Sequence, residues 1–417
     1  MRDTFLPFSP PLIGEEEIAE VVDTLRSDWI TTGPKVKRFE EDFAAAVCAP
    51  AALALSSCTA ALHLALVALG IGPGDAVITT PMTFVSSIHV IEHVGARPIL
   101  ADVQSDTLNI DPVRIVEAIT SARREGLRVK ALLLVHLYGH PCDMNPLMDI
   151  AREYGLAVVE DAAHALPAKH EGRLIGSLAR HYPLPVLTCF SFYATKNLTT
   201  AEGGMLVGPP ALIDEARIWS LHGMSRDAWD RYGEKGSWYY EVVRPGFKYN
   251  LTDIQAALGL HQLRKLGQFQ ARREEIVRQY AEGLSQFEEL SLPVTRPEAE
   301  PAWHLYVLRL NIERLRITRG QFIEELKQRQ IGSSVHFIPV HLHPYYRERY
   351  GYRPEDFPVT FREFQRIISL PLNPRLSDRD VNDVVEAVGD VVKKFRREAR
   401  MRASHPVTTF EQGNSEN

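Results

Sequence analysis

The sequence predicts an α/β protein: a mostly parallel central sheet with helices on both faces, followed by a smaller C-terminal α/β unit. Three observations predict it. From about residue 50 to 210, short apolar runs alternate with helical stretches, the pattern of βαβ units. A long stretch, Leu251 to Leu284, then carries Ala256, Leu260, Leu263 and Leu266 at helical spacing with charges between them. A second, shorter alternation of strand and helix patterns runs on to about residue 395.

Taken in order, the strand candidates of the first unit are Ala51 to Leu55, Ala76 to Thr79, Arg97 to Asp102, Ala131 to His136, Ala157 to Glu160 and Leu187 to Phe192. Each ends in polar, glycine or small residues, and near-continuous apolar runs of this kind suit strands buried on both faces. The helix of residues 251–284 is expected to join the two units. The second unit is expected to hold a strand at Trp303 to Leu310, a helix at Arg319 to Gln330, a strand around Gly332 to Phe337 and a closing helix from Ser377 to Phe395. Ser377 with Asp380 reads as that helix's capping pair, although Asp is a weaker partner there than Glu. The expected division is 1–260, 261–400 and a tail from 401 to 417, whose polar, patternless residues Ala403 to Asn417 read as disordered.

Composition narrows the function. A chain of 417 residues with 45% hydrophobic residues can bury a sizeable core. Its formal charge of -6 gives no attraction to polyanions, and the one basic cluster, Lys393 to Arg402, alternates with apolar residues as a helix face does, so no nucleic-acid partner is expected. Cys48, Cys58, Cys142 and Cys189 lack metal spacing and the density of a disulfide framework, which points to a reducing, cytoplasmic setting. No apolar run reaches the roughly 20 residues that a membrane span needs.

In open α/β sheets, ligands bind beyond the carboxyl ends of the strands. After the first strand comes Ser56-Ser57-Cys58-Thr59, where free N–H groups at a helix start, with the Ser57 and Thr59 hydroxyls, suit a phosphate. The same residues also suit a plain helix cap. The strand of residues 157–160 leads to Glu160-Asp161-Ala162-Ala163-His164, and a carboxylate at that edge can pair with a protonated pyridine nitrogen. Phe190-Ser191-Phe192-Tyr193-Ala194-Thr195-Lys196-Asn197 then brings a lysine into a turn between core segments, before Glu202-Gly203-Gly204 opens another apolar run. Most lysines are surface charges, but a confined one loses its proton and attacks carbonyls. Together these are three parts of one site in order along the chain.

On these residues the chain resembles the DegT/DnrJ/EryC1/StrS sugar aminotransferases, which have the type I pyridoxal-phosphate-dependent fold of aspartate aminotransferase. Its likeness within them is to nucleotide-sugar 4-aminotransferases such as the UDP-4-amino-4-deoxy-L-arabinose aminotransferases. The matching segments are Phe5-Leu-Pro-Phe-Ser, Trp29-Ile-Thr-Thr-Gly-Pro-Lys35, Ser57-Cys-Thr-Ala-Ala-Leu-His63, Glu160-Asp-Ala-Ala-His-Ala165, Phe190-Ser-Phe192, Lys196-Asn197, Glu202-Gly-Gly204 and Pro245-Gly-Phe-Lys-Tyr-Asn-Leu-Thr-Asp253.

The resemblance implies that Lys196 is the Schiff-base lysine and Asp161 the partner of the pyridine nitrogen, with His164 near the ring. It implies that Ser57, Cys58, Thr59 and Ser191 hold the phosphate of pyridoxal 5′-phosphate, and that Phe84 stacks on the ring. Asn250 matches a residue that reaches the phosphate of a neighbouring subunit, which implies a homodimer with shared sites. Residues 1–260 then form the cofactor-binding domain. Trp29, Thr31, Thr32 and His336 lie where the family meets substrate, with Arg226, Arg231 or Lys248 available for a diphosphate. The implied reaction moves an amino group from an amino acid, glutamate, to the 4-keto carbon of a nucleotide-linked sugar, with Lys196 carrying the proton. Alternatives are a 3-keto-sugar or keto-cyclitol aminotransferase, or a non-catalytic cofactor-binding regulator. A dehydratase of the family would have histidine at position 196.

One departure is the segment Ser177 to Thr188, longer than the family norm, which either reshapes the mouth of the site or bulges at the surface. No metal is expected, because Pro339 and Pro344 interrupt His336, His341 and His343, with no carboxylate or cysteine to complete a site.

Overall fold

The structure, a computed structural model, describes residues 2–224 and 239–397. Its main sheet has seven strands in the spatial order Ala51–Leu55, Gly204–Gly208, Val186–Ser191, Ala157–Asp161, Arg128–Val135, Asp75–Thr79, Arg97–Leu100. Only Gly204–Gly208 runs antiparallel to its neighbours. The strands are buried on both faces because alternate residues serve different cores. Leu53, Leu55, Leu187, Cys189 and Leu206 pack on one side with the helix Cys58–Ala68, while Ala52, Ala54, Phe190, Met205 and Val207 pack on the other. This is the two-residue period of a strand, applied to a sheet covered on both sides.

The helix Asp253–Leu284 connects two cores. Thr252 caps it, accepting from the Gln255 amide, and Gln255 returns a bond to the Thr252 amide. Ala256, Leu260 and Leu266 pack against the main sheet. One end further on, Ile276, Tyr280 and Leu284 join the core of a smaller antiparallel sheet made of Leu290–Ser291, Tyr306–Leu310 and Ile367–Leu370. We propose that the division between domains, expected at residue 260, falls within this helix. Leu6, at the other end of the sequence, also enters the second core and bridges Ile331.

The strand expected around Gly332 to Phe337 does not form. Ser334 makes a single bridge to Ser369, and the edge of the small sheet is Ile367–Leu370 instead, a run of four residues. The strand expected from Trp303 begins at Tyr306, because Trp303 takes a left-handed φ of 47°. The closing helix is Asp378–Phe395, and Ser377 and Asp380 form the reciprocal cap. The long segment 177–188 lies at the amino ends of the strands, away from the end where Ser191 sits. There the Arg180 guanidinium donates to the carbonyls of Cys48 and Ala49, each at 2.8 Å. It therefore bulges at the far edge of the sheet from the candidate site. The tail of residues 403–417 lies outside the described residues. Among the described residues, no helix is long and apolar enough to cross a membrane.

Candidate active site

At the carboxyl ends of the strands a cavity of about 510 Å³ opens, lined among others by Ser57, Thr59, Asp161, His164, Ser191 and Lys196. A volume of this size suits a small-molecule ligand. The fold thus gathers residues spread over 140 positions of chain at one end of one sheet, because the parallel strands Ala51–Leu55, Ala157–Asp161 and Val186–Ser191 all end there.

One wall is the start of the helix Cys58–Ala68. Ser57 is its cap and accepts from the Ala60 amide at 3.0 Å, while the Ala61 amide bonds the Ser57 carbonyl. The Cys58 and Thr59 amides precede the helical ladder, so they and the hydroxyls of Ser57, Thr59 and Ser191 could hold an anion. Gly204 lets the antiparallel strand approach this turn, since a Cβ there would stand 2.4 Å from the Ser57 carbonyl carbon.

Asp161, at the end of the strand Ala157–Asp161, lines the same cavity. Ser87, from the helix Ser86–His93, donates to its Oδ2 at 2.7 Å, and the Ala163 amide donates to its Oδ1 at 3.2 Å. Thr83 hydrogen-bonds Ser87 in turn. Burial pushes the Asp161 carboxyl above its usual range, against the opposing pull of these bonds and of Lys196. Such a carboxylate is poised for a cationic partner.

Lys196 follows the strand Val186–Ser191 in a tight turn in which its amide donates to the Tyr193 carbonyl. Asn197 locks that turn by donating to the carbonyls of Leu166 and Ala302. Burial lowers the Lys196 amine to about 8, so its unprotonated share near neutral pH, though the minor one, far exceeds that of an ordinary lysine. The sign of the resulting pH effect follows from proton counts. Between about 8 and the ordinary 10.5, the folded chain binds fewer protons at this position than the unfolded chain, so its stability rises with pH through that window. In the cofactor-free protein, the deficit of wild type relative to Lys196→Met is expected to shrink as pH is raised from 8 to 10.5. Paired denaturant titrations check this, and a constant difference would refute it.

Three histidines edge the cavity. His164 accepts the Tyr138 amide through Nδ1 at 3.3 Å, and burial holds it well below its usual range, so it is neutral. Its ring lies 4.4 Å from that of His304, which bonds the Asn197 side chain at 3.1 Å. His336 bonds Ser369 at 2.8 Å, and its carbonyl accepts the Tyr138 hydroxyl. Phe84 is 57% exposed at the mouth, near Phe337. It is therefore not a core residue.

The remaining expected residues form a second cluster. Asn250 donates to Thr32 at 2.7 Å and accepts from Lys248, Thr32 donates to the Leu251 carbonyl, and the Trp29 indole donates to the Thr32 carbonyl. The Thr31 carbonyl accepts the Asp253 amide. None of Trp29, Thr31, Thr32, Lys248 and Asn250 lines the cavity at Lys196. Arg226 and Arg231 lie outside the described residues. Ser87, Tyr138 and His304 escaped sequence reasoning. Each reaches the site from an element whose local pattern carries no chemical signal.

The donor set fits pyridoxal 5′-phosphate: amides and hydroxyls able to bind an anion, a buried carboxylate and an amine of lowered pKa line one cavity. Comparison with known proteins agrees. The model of the DegT/DnrJ/EryC1/StrS aminotransferase family matches residues 11–389. The spore coat polysaccharide biosynthesis protein SpsC of Bacillus subtilis (strain 168) is 52% identical over 394 residues, covering 94% of this chain and 98% of its own. The putative sugar aminotransferase Spr1654 of Streptococcus pneumoniae, solved in a PMP form, is 37% identical with a TM-score of 0.84, over 93% of this chain and 99% of its own. It is also solved in a PLP form. Helicobacter pylori PseC, an aminotransferase involved in pseudoaminic acid biosynthesis, is 25% identical with a TM-score of 0.83, over 94% and 100%.

Proposed function

The chain belongs to the DegT/DnrJ/EryC1/StrS aminotransferase family, and from that premise we propose which substrate its site takes and what each residue does. It is a pyridoxal-phosphate-dependent transaminase of the sugar aminotransferase type, with the α/β fold of those enzymes. Its substrates on this reading are glutamate and a nucleotide-linked 4-keto sugar, which becomes a 4-amino sugar.

The observation that carries the reading is that the helix-start anion site, Asp161 and Lys196 line one cavity, where Cys58 and Asp161 both act electrostatically on the Lys196 amine. When bound, pyridoxal phosphate supplies an aldehyde that condenses with amines and a ring that stores electrons. The chain supplies the rest. The Cys58 and Thr59 amides, with Ser57, Thr59 and Ser191, would hold the phosphate, and Phe84 and His164 would pack against the ring. Asp161 would pair with the ring nitrogen and keep it protonated. Lys196, with its amine at about 8, would take the proton from the donor's α-carbon as base and return it, as acid, to the cofactor's C4′ carbon on the other side of the transferred nitrogen. Neutral His164 does not compete for that proton.

The second cluster supports a homodimer with shared sites. Asn250, Lys248, Thr32 and Trp29 sit together outside their own chain's cavity, and Phe84 and Tyr193 stand 57% and 48% exposed at its mouth. A partner subunit that brings Asn250 to the phosphate would cover both. Trp29, Thr31, Thr32, Lys248 and His336, with Arg226 and Arg231, would then meet the sugar and its diphosphate.

The test mixes the amino form of the purified enzyme with a panel of nucleotide 4-keto sugars, 3-keto sugars and keto-cyclitols, and follows return of the aldehyde form by absorbance. Return with a 4-keto nucleotide sugar is expected. Return only with 3-keto sugars or cyclitols would replace the 4-amino assignment with the second reading.

A further inference from the structure

Away from the cavity, the fold assembles a cluster that no stretch of sequence displays. Asp143 precedes the helix Met144–Tyr154, His170 ends the short strand Lys169–His170, and Glu298 precedes the strand Ala299–Glu300 that pairs with it. One ligand atom from each lies within 4.8 Å of the others. We propose that Asp143, His170 and Glu298 form a binding site for a first-row divalent cation such as Zn²⁺, outside the transamination site.

Two independent features point to a ligand there. His170 is 5% exposed, yet its Nε2 has no hydrogen-bond partner among the described residues, and a buried ring nitrogen is normally satisfied by protein, water or an ion. That nitrogen faces the carboxylates, with Asp143 Oδ1 at 3.9 Å. Asp143 also stands at a helix start without capping it, so its carboxylate is turned to another use. Arg296 takes only its other oxygen, at 3.4 Å, and makes its closer ion pair with Asp106 at 2.9 Å.

The donor set selects the ion. One imidazole and two carboxylates suit zinc and its first-row neighbours, whereas Mg²⁺ prefers oxygen ligands and retained water. Zinc bonds such atoms at roughly 2.0–2.2 Å, so small side-chain rotations close the cluster on it. The ion would tie three segments together. One of them, through Ala299–Glu300 and Ala302, leads into His304 beside Lys196, and Ala302 already accepts from Asn197. Bound metal would therefore brace the chain that edges the active site.

The test titrates chelator-stripped, pyridoxal-phosphate-loaded enzyme with Zn²⁺ alone by calorimetry and follows the thermal midpoint. Wild type is expected to bind one saturable equivalent per chain and to melt at a higher temperature when it does. His170→Gln and Asp143→Asn should each weaken binding at least by the roughly tenfold that losing even an outer-shell partner costs, and lose the thermal shift. His181→Gln, a histidine outside the cluster, should behave as wild type. Cofactor content shows that each variant is folded, and either variant alone decides the outcome. No saturable Zn²⁺ in wild type, or undiminished binding in a folded cluster variant, overturns the proposal.

Discussion

Lys196→Ala is expected to abolish transamination and, in borohydride-treated protein, to remove the reduced pyridoxyl adduct that wild type carries at that position. The loss has two separable origins. General acid–base catalysis alone contributes about 10²–10⁴-fold, and the side chain that carries the proton is gone. The covalent hold on the cofactor is gone as well, although the anion site at Ser57, Thr59 and Ser191 remains and should still bind the cofactor noncovalently. Added methylamine can replace the covalent partner but is not positioned by the turn that Asn197 locks, so rescue should be slight. Turnover within about tenfold of wild type would remove Lys196 from the mechanism, because loss of the base alone exceeds that.

Much of this site can be read from the chain because its chemistry sits where strands end. Apolar runs mark the strands, and the residues that terminate them, Ser57, Asp161, Ser191 and then Lys196, are the ones that line the cavity. Ser87 is different. It reads Asp161 from a helix 74 residues earlier, and a serine inside a helix announces nothing. Tyr138 and the segment leading to His304 depend on left-handed backbone at Tyr138 and Trp303, φ 62° and 47°, in residues that favour it no more than any other. The small sheet shows the same limit. Val335-His-Phe alternates as a strand does, but only Ser334 finds a partner, while Ile367–Leu370, a run of four, forms the edge strand. Pairing partners are chosen by the packed core rather than by local pattern. The separation of the Asn250 cluster from the Lys196 cavity carries no such local mark; only the family resemblance points to it.

Asp161→Asn is the complementary experiment, because it removes a charge and keeps a shape. The amide can still accept from Ala163, and Ser87 can reverse its bond by accepting from the amide nitrogen while donating to Thr83. What disappears is the carboxylate that we propose pairs with the ring nitrogen. With an amide there, the protonated nitrogen has no counter-charge and the site stabilises developing carbanion charge less well. Turnover should fall by roughly 10²–10³, the scale of losing one preorganised electrostatic group, while the borohydride adduct at Lys196 persists. Stability should move the other way. Burial raises the Asp161 carboxyl above its usual range, so in the cofactor-free protein its ionised form at neutral pH is penalised, and the folded state binds its proton more readily than the unfolded state does. Stability therefore falls as pH rises through that window, and replacement by a neutral amide relieves the penalty. The cofactor-free variant should melt no lower than wild type at pH 7. A variant that is inactive and also less stable would make Asp161 a structural residue; one that is stable and active would remove the ring-nitrogen assignment.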